Sequence, residues 1–118
     1  NPGALGTPYY QFAVNTIGAV SDARRLAGQP SDSGWSADWE ALVARGSDRW
    51  TAEFRIPFAA IGVEMAGDSI WLANFVRNDH AGTVQDAIPD IPVHLSAWGP
   101  SRDLHDVSKF RPICLQER

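Results

Sequence analysis

The chain has 118 residues, the size of one domain. Its net charge of −4 and pI of about 5.2 argue against a general binder of phosphate backbones, which needs a basic face. A hydrophobic fraction of 44% supports a core and speaks against disorder. No apolar run approaches the ~20 residues of a membrane-spanning helix, and the single Cys114 allows neither an internal disulfide nor a cysteine-rich zinc site.

The opening Asn1-Pro2-Gly3 has no initiator Met, charged n-region or apolar stretch. It is not a signal peptide and reads as the start of a cut piece of a longer chain. In residues 9–15, Tyr10, Phe12 and Val14 alternate with Gln11, Ala13 and Asn15, the pattern of a half-buried strand. Gly18 ends it, and residues 19–24 supply a second strand to complete a hairpin. Residues 27–38 are rich in Gly, Ser, Asp and Pro and read as loop.

Residues 39–45 turn apolar again, and Gly46-Ser47-Asp48 marks a turn. Residues 50–56 put Trp50, Ala52, Phe54 and Ile56 on one face and Thr51, Glu53 and Arg55 on the other. Pro57 stops this strand because it lacks a ladder donor, and residues 57–62 fit a single helical turn, with Pro at its start and Gly past its end. Residues 69–78 read as one strand with large apolar groups on both faces, hence a central one. Residues 79–106 hold Pro89, Pro92, Gly99 and Pro100 and read as a long connection of the functional or disordered kind. Residues 110–115 supply a last strand.

Five or six strands punctuated by ten glycines and eight prolines, without sustained helical periodicity, predict an all-β domain. That count is small for a self-contained sandwich. The expected open edges call for a missing N-terminal segment or a second chain.

The order of motifs carries a resemblance. Tyr10-Gln11-Phe12-Ala13-Val14-Asn15 is followed by Trp50-Thr51-Ala52-Glu53, Ile56-Pro57-Phe58, Trp71-Leu72-Ala73-Asn74-Phe75-Val76-Arg77 and Ser96-Ala97-Trp98, then His105 and Phe110. This series is similar to the carbohydrate-binding module family 9 β-sandwich, related to the DOMON group. The resemblance implies that residues 1–118 are a single domain, the later part of an antiparallel sandwich of immunoglobulin-like or jelly-roll type whose first strands precede Asn1. Two departures stand out. Arg111 occupies a position that is often glycine in the family, and residues 86–94 are longer than usual.

Trp98, between Ala97 and Gly99, is a natural sugar platform, because pyranose C–H faces pack on indole rings. It resembles the later of two tryptophans that sandwich a sugar in the family. The other tryptophan would precede Asn1, with Trp35 or Trp39 a weaker substitute. The alternative for Trp98 is a plug in the sandwich end. Arg77 and Asn78 match positions that contact sugar in the family; a guanidinium fork and an amide suit vicinal hydroxyls. A buried Arg77–Glu53 pair is the alternative, and Asn74 suits the core. Trp50 and Trp71, on patterned strands, read as core.

His80, His94 and His105 match no compact ligand spacing. Glu53 and Asp79 are candidates for a pair of glycosidase carboxylates by geometry alone, and Glu53 reads better as part of a strand-face ion pair. Asp79, Asp86, Asp90, Asp103 and Asp106 offer oxygen ligands of the kind a structural calcium ion takes; their spacing fits no calcium loop, and a solvated acidic surface is the default. Cys114 reads as a buried small hydrophobe.

The expected function is a non-catalytic carbohydrate-binding module, attached to a larger extracellular or cell-surface protein and directed at a glucan, xylan or other polysaccharide. One alternative is a structural or partner-binding sandwich that lost the site. Another is a haem-binding DOMON-like domain drawing axial ligands from Met65 and the histidines.

Overall fold

The computed structural model describes residues 8–26, 29–32, 34–64, 69–80, 93–99 and 105–115. Among them are eight strands, two short 3-10 helices and no α-helix. The strands are β1 (Tyr9–Val14), β2 (Val20–Arg25), β3 (Glu40–Arg45), β4 (Trp50–Arg55), β5 (Ser69–Ala73), β6 (Val76–His80), β7 (Val93–Ala97) and β8 (Arg111–Leu115). They form four antiparallel two-stranded sheets, β1–β2, β3–β4, β5–β8 and β6–β7. The chain is all-β.

The first hairpin forms where the alternation places it. Val14 pairs with Val20, and the Asn15 side-chain oxygen accepts from the amides of Ile17 and Ala19 at 3.1 and 2.9 Å. Gly18 takes φ 86°, a left-handed conformation that favours glycine. The second hairpin closes between Arg45 and Trp50, with the Gly46 amide donating to the Arg49 carbonyl at 2.7 Å. After Pro57 comes the 3-10 helix η1 (Phe58–Ile61), capped by Gly62 at φ 70°. Its Phe58 ring lies 5.3 Å from Trp71 of β5, and Ile61 is buried.

Five aromatic rings join the two hairpins. Tyr10 meets Trp35 at 5.1 Å between ring centres, Phe12 meets Trp35 at 6.1 Å and Trp39 at 5.0 Å, and Trp39 stacks on Phe54 at 5.7 Å with planes 4° apart. One carboxylate fixes the segment that carries the two indoles. Asp22 of β2 lies opposite Phe12. Its Oδ2 accepts from the Ala37 amide at 2.8 Å, the Trp39 indole N–H at 3.1 Å and the Ser36 hydroxyl at 3.3 Å. The loop read between 27 and 38 therefore has little regular structure in its described part, an isolated Arg24–Asp32 bridge apart, and is nonetheless firmly tied. The Asp32 carboxyl is held below its ordinary value, first by the Arg24 side chain and then by the Gly34 amide.

On the other face of β1, Tyr9 is 4% exposed. Its hydroxyl meets His105 Nδ1 at 2.9 Å, and its ring meets Phe110 edge-on at 5.9 Å. His105 thus links the first strand to the segment before the last one.

Four expectations need correction. Eight strands occur among the described residues, where five or six were expected. Residues 69–78 are two strands, because the chain changes partner at Asn74–Phe75: β5 pairs with β8 and β6 with β7. Among the described residues each has one strand neighbour, so neither is central there. The connection 79–106 contains β7, whose Val93, Leu95 and Ala97 alternate with His94 and Ser96 between prolines. Cys114 is exposed, because it lies opposite Ile70, itself 74% exposed, on an uncovered face.

The Asp22 acceptor should be measurable as stability. Asp22→Ala leaves the Ala37 amide and the Trp39 indole without their acceptor and is expected to cost about 2 kcal/mol, read by urea unfolding. Near-UV circular dichroism should weaken in parallel. An unchanged midpoint would show that Asp22 does not hold the aromatic bridge.

Candidate functional site

Strands β6 and β7 present Arg77 opposite Ser96. Two positions along the ladder, the Trp98 amide donates to the Phe75 carbonyl at 2.9 Å, extending it. Side chains alternate with period two along a strand, so Phe75, Arg77, Ser96 and Trp98 belong to one face. They line a shallow depression of about 310 Å³ together with Val76 and Ala97. Phe75 and Trp98 lie 5.7 Å apart with planes inclined at 51°, and Trp98 is 40% exposed.

The backbone beneath Trp98 is tightly held. Asn74 Oδ1 accepts from the Gly99 amide at 2.7 Å. Gly99 is buried, and a Cβ there would overlap the Lys109 carbonyl oxygen. The Asn74 amide nitrogen is buried without a hydrogen-bond partner among the described residues, so the bond to Gly99 sets the orientation of this side chain. Asn74 is therefore a positioning residue for the Trp98 turn.

The segment that presses on Gly99 leads directly into β8, whose first residue is Arg111. The Arg111 guanidinium carbon lies 5.5 Å from the centre of the Trp98 ring, a cation–π contact worth about 0.5–1 kcal/mol at an exposed position. Between the two lies the 3-10 helix η2 (Val107–Lys109), capped by Asp106. The Asp106 side chain accepts from the Ser108 amide at 3.1 Å and also from the Ser108 hydroxyl. The Ser108 side chain is the main cause holding the Asp106 carboxyl below its ordinary value.

Trp98 and Arg77 thus meet in one depression. Asn78 pairs with Leu95 and alternates to the opposite face of the same sheet. Phe75 and Arg111 escaped the sequence reading. Phe75 stands two residues before Arg77, which the strand period places on the same face. Arg111 was visible only as a departure from the family pattern.

The other singled-out residues are placed as follows. Trp35 and Trp39 belong to the aromatic bridge and do not line the Trp98 depression. Trp71 is half-buried against Phe58. Trp50 lines a second depression of about 340 Å³ at the β3–β4 turn, where Arg45 donates to the Thr16 carbonyl at 2.6 Å and Arg49 pairs with Asp48 at 3.1 Å. Three ion pairs occur among the described residues: Arg24–Asp32, Arg49–Asp48 and Arg55–Glu40. None joins Arg77 to Glu53, and among the described residues Glu53 enters no strand-face ion pair; on its face the pair is Arg55–Glu40, at 3.3 Å.

No group of three or more His, Cys, Asp or Glu side chains gathers among the described residues. Asp86, Asp90, Asp103 and Met65 lie outside the described residues, as do the long stretch before β7 and the opening Asn1-Pro2-Gly3. Asp79, His80 and His94 are described in backbone register alone, His94 opposite Asp79 and His80 opposite Val93. Comparison of the chain with models of protein families, with curated proteins and with solved structures finds no match in any of the three.

Two outcomes follow from the support beneath Trp98. Gly99→Ala drives a methyl into the Lys109 carbonyl and is expected to destabilise by about 1–3 kcal/mol, with a red shift of indole emission as Trp98 moves outward; retained stability and spectrum would contradict the tight approach. The η2 cap should also be pH-dependent. Because folding lowers the Asp106 value, its contribution is complete above the unfolded carboxylate value of about 3.9 and is lost as pH falls through the lower folded value. Asp106→Asn should therefore flatten the acid limb of stability between about pH 5 and pH 2, read by urea midpoints across that range.

Proposed function

We propose that this chain is a non-catalytic carbohydrate-binding module, a β-sandwich of the carbohydrate-binding module family 9 and DOMON type attached to a larger secreted or surface protein. The observation that carries this reading is the shared face of Trp98 and Arg77, with Phe75 flanking the indole and the Ser96 hydroxyl beside it. An exposed indole offers a flat apolar surface to the C–H face of a pyranose, and guanidinium and hydroxyl groups at its edge suit sugar hydroxyls. A shallow, open depression suits a polysaccharide chain better than a small molecule that must be enclosed. Such a module raises the local concentration of an attached enzyme on its substrate and performs no chemistry of its own. Asn78, on the opposite face of the sheet, does not line this depression and takes no part in this reading.

A second reading draws on the uncovered faces. Leu42 and Ile70 are more than two-thirds exposed on sheet surfaces, and among the described residues each strand has one strand neighbour, with only the Arg24–Asp32 bridge on a second edge. Two-stranded sheets are marginal alone. Their edges call for a covering chain, either an N-terminal segment of the sandwich or a second polypeptide, and a domain built for that contact is a partner-binding scaffold.

The two readings separate in a fluorescence titration against soluble glucans, xylans and monosaccharides. The sugar reading expects saturable quenching or a blue shift, weakened about tenfold or more in Trp98→Ala, equivalent to about 1.4 kcal/mol. Arg77→Ala is expected to weaken binding less and to leave the spectral change in place. No response to any sugar from a protein that melts cooperatively would overturn the sugar reading and favour the scaffold.

A further inference from the structure

The Trp98 ring carries a cation that a platform for neutral sugar does not require. Arg77 lies on the Trp98 face, and Arg111 reaches over the indole from β8. In a chain of net charge −4, a guanidinium held beside an exposed aromatic ring stands out.

We propose that the ring bound at Trp98 is an acidic sugar, a hexuronate unit of an anionic polysaccharide, with Arg111 holding its carboxylate. This inference rests on the sugar-binding reading above and narrows its substrate class. A guanidinium above an indole uses its face for the ring, and its N–H donors remain in its own plane, available to an anion. The guanidinium carbon lies 5.5 Å from the ring centre, within the ~6 Å reach of a cation–π contact. Arg111 is exposed, and a side-chain rotation brings its donors to a carboxylate projecting from a sugar stacked alongside.

Four of the other arginines are already engaged. Arg24, Arg49 and Arg55 each pair with a carboxylate, and Arg45 donates to a carbonyl. Arg111 has no ion-pair partner among the described residues, and its one described side-chain contact is the indole. Its backbone is fixed opposite Ala73 in β8, immediately after the segment that grips Gly99. The cation and the aromatic ring are thus held in register by one backbone junction, which places a charge-assisted, fork-shaped donor at the edge of the stacking surface.

The test compares an oligogalacturonate with its methyl ester, which keeps the sugar ring and removes the charge. Both are titrated into the full chain at low salt and again near 0.5 M NaCl. The acid is expected to bind about tenfold or more tightly than the ester at low salt. That preference should collapse in Arg111→Gln and shrink at high salt, while Arg49→Gln, which removes an exposed charge elsewhere, leaves it in place. Equal affinity for acid and ester overturns the acidic-sugar inference and leaves the sugar reading standing, as does a preference that Arg111→Gln does not change or that Arg49→Gln reduces equally. Absence of binding by either sugar, or by any neutral glycan, in a cooperatively folded protein overturns both.

Discussion

The Asp22 carboxylate organises the first half of the molecule. A short polar side chain in β2 satisfies a backbone amide, a hydroxyl and an indole N–H from one connecting segment. That acceptor reinforces the ring contacts by which Trp35 and Trp39 lie against β1. With it, five aromatic rings run from Tyr10 to Phe54. Each aromatic pair is worth about 0.5–1.5 kcal/mol beyond the area it buries. The arrangement allows two hairpins, neither stable alone, to support each other.

The second half uses a different device. Asn74 stands where the chain leaves one sheet for the next, and its side chain takes the Gly99 amide. The partner change at residues 74–75, the close approach of Gly99 to Lys109 and the position of Arg111 over Trp98 are consequences of the same junction. The surface proposed for sugar is therefore set by backbone geometry beneath it, which gives a shallow site on paired strands the rigidity that recognition needs.

Much of this was legible in the residues. Tyr10, Phe12 and Val14 announced β1, the run from Trp50 announced β4, and Pro57 with Gly62 bracketed η1, because period-two alternation and helix-end chemistry act locally. The face shared by Trp98 and Arg77 was less accessible. Each residue could be singled out, but the register of β6 against β7 is a long-range fact. β7 was hidden because its five residues follow Pro92 and precede Gly99-Pro100. The break at Asn74 was invisible because alternation continues unchanged across it. Cys114 and Ile70 looked internal from their apolar surroundings; which face a sheet leaves bare depends on what packs against it, and no local pattern encodes that. The acceptor role of Asp22 had no signal beyond a polar residue within a strand.

The bond between Tyr9 and His105 spans 96 residues. Val14 and Val20, by contrast, meet across a tight turn. Loop-closure entropy grows as the logarithm of loop length, so the longer closure costs about 2.5 kcal/mol more than the hairpin's. The unfolded chain resists this contact more strongly than it resists either early hairpin. Tyr9, one of the two most buried apolar residues described, sits at the point where that resistance is greatest. Its burial against Phe110 and its hydroxyl bond to His105 are what offset the freedom lost when the two ends of the chain are brought side by side.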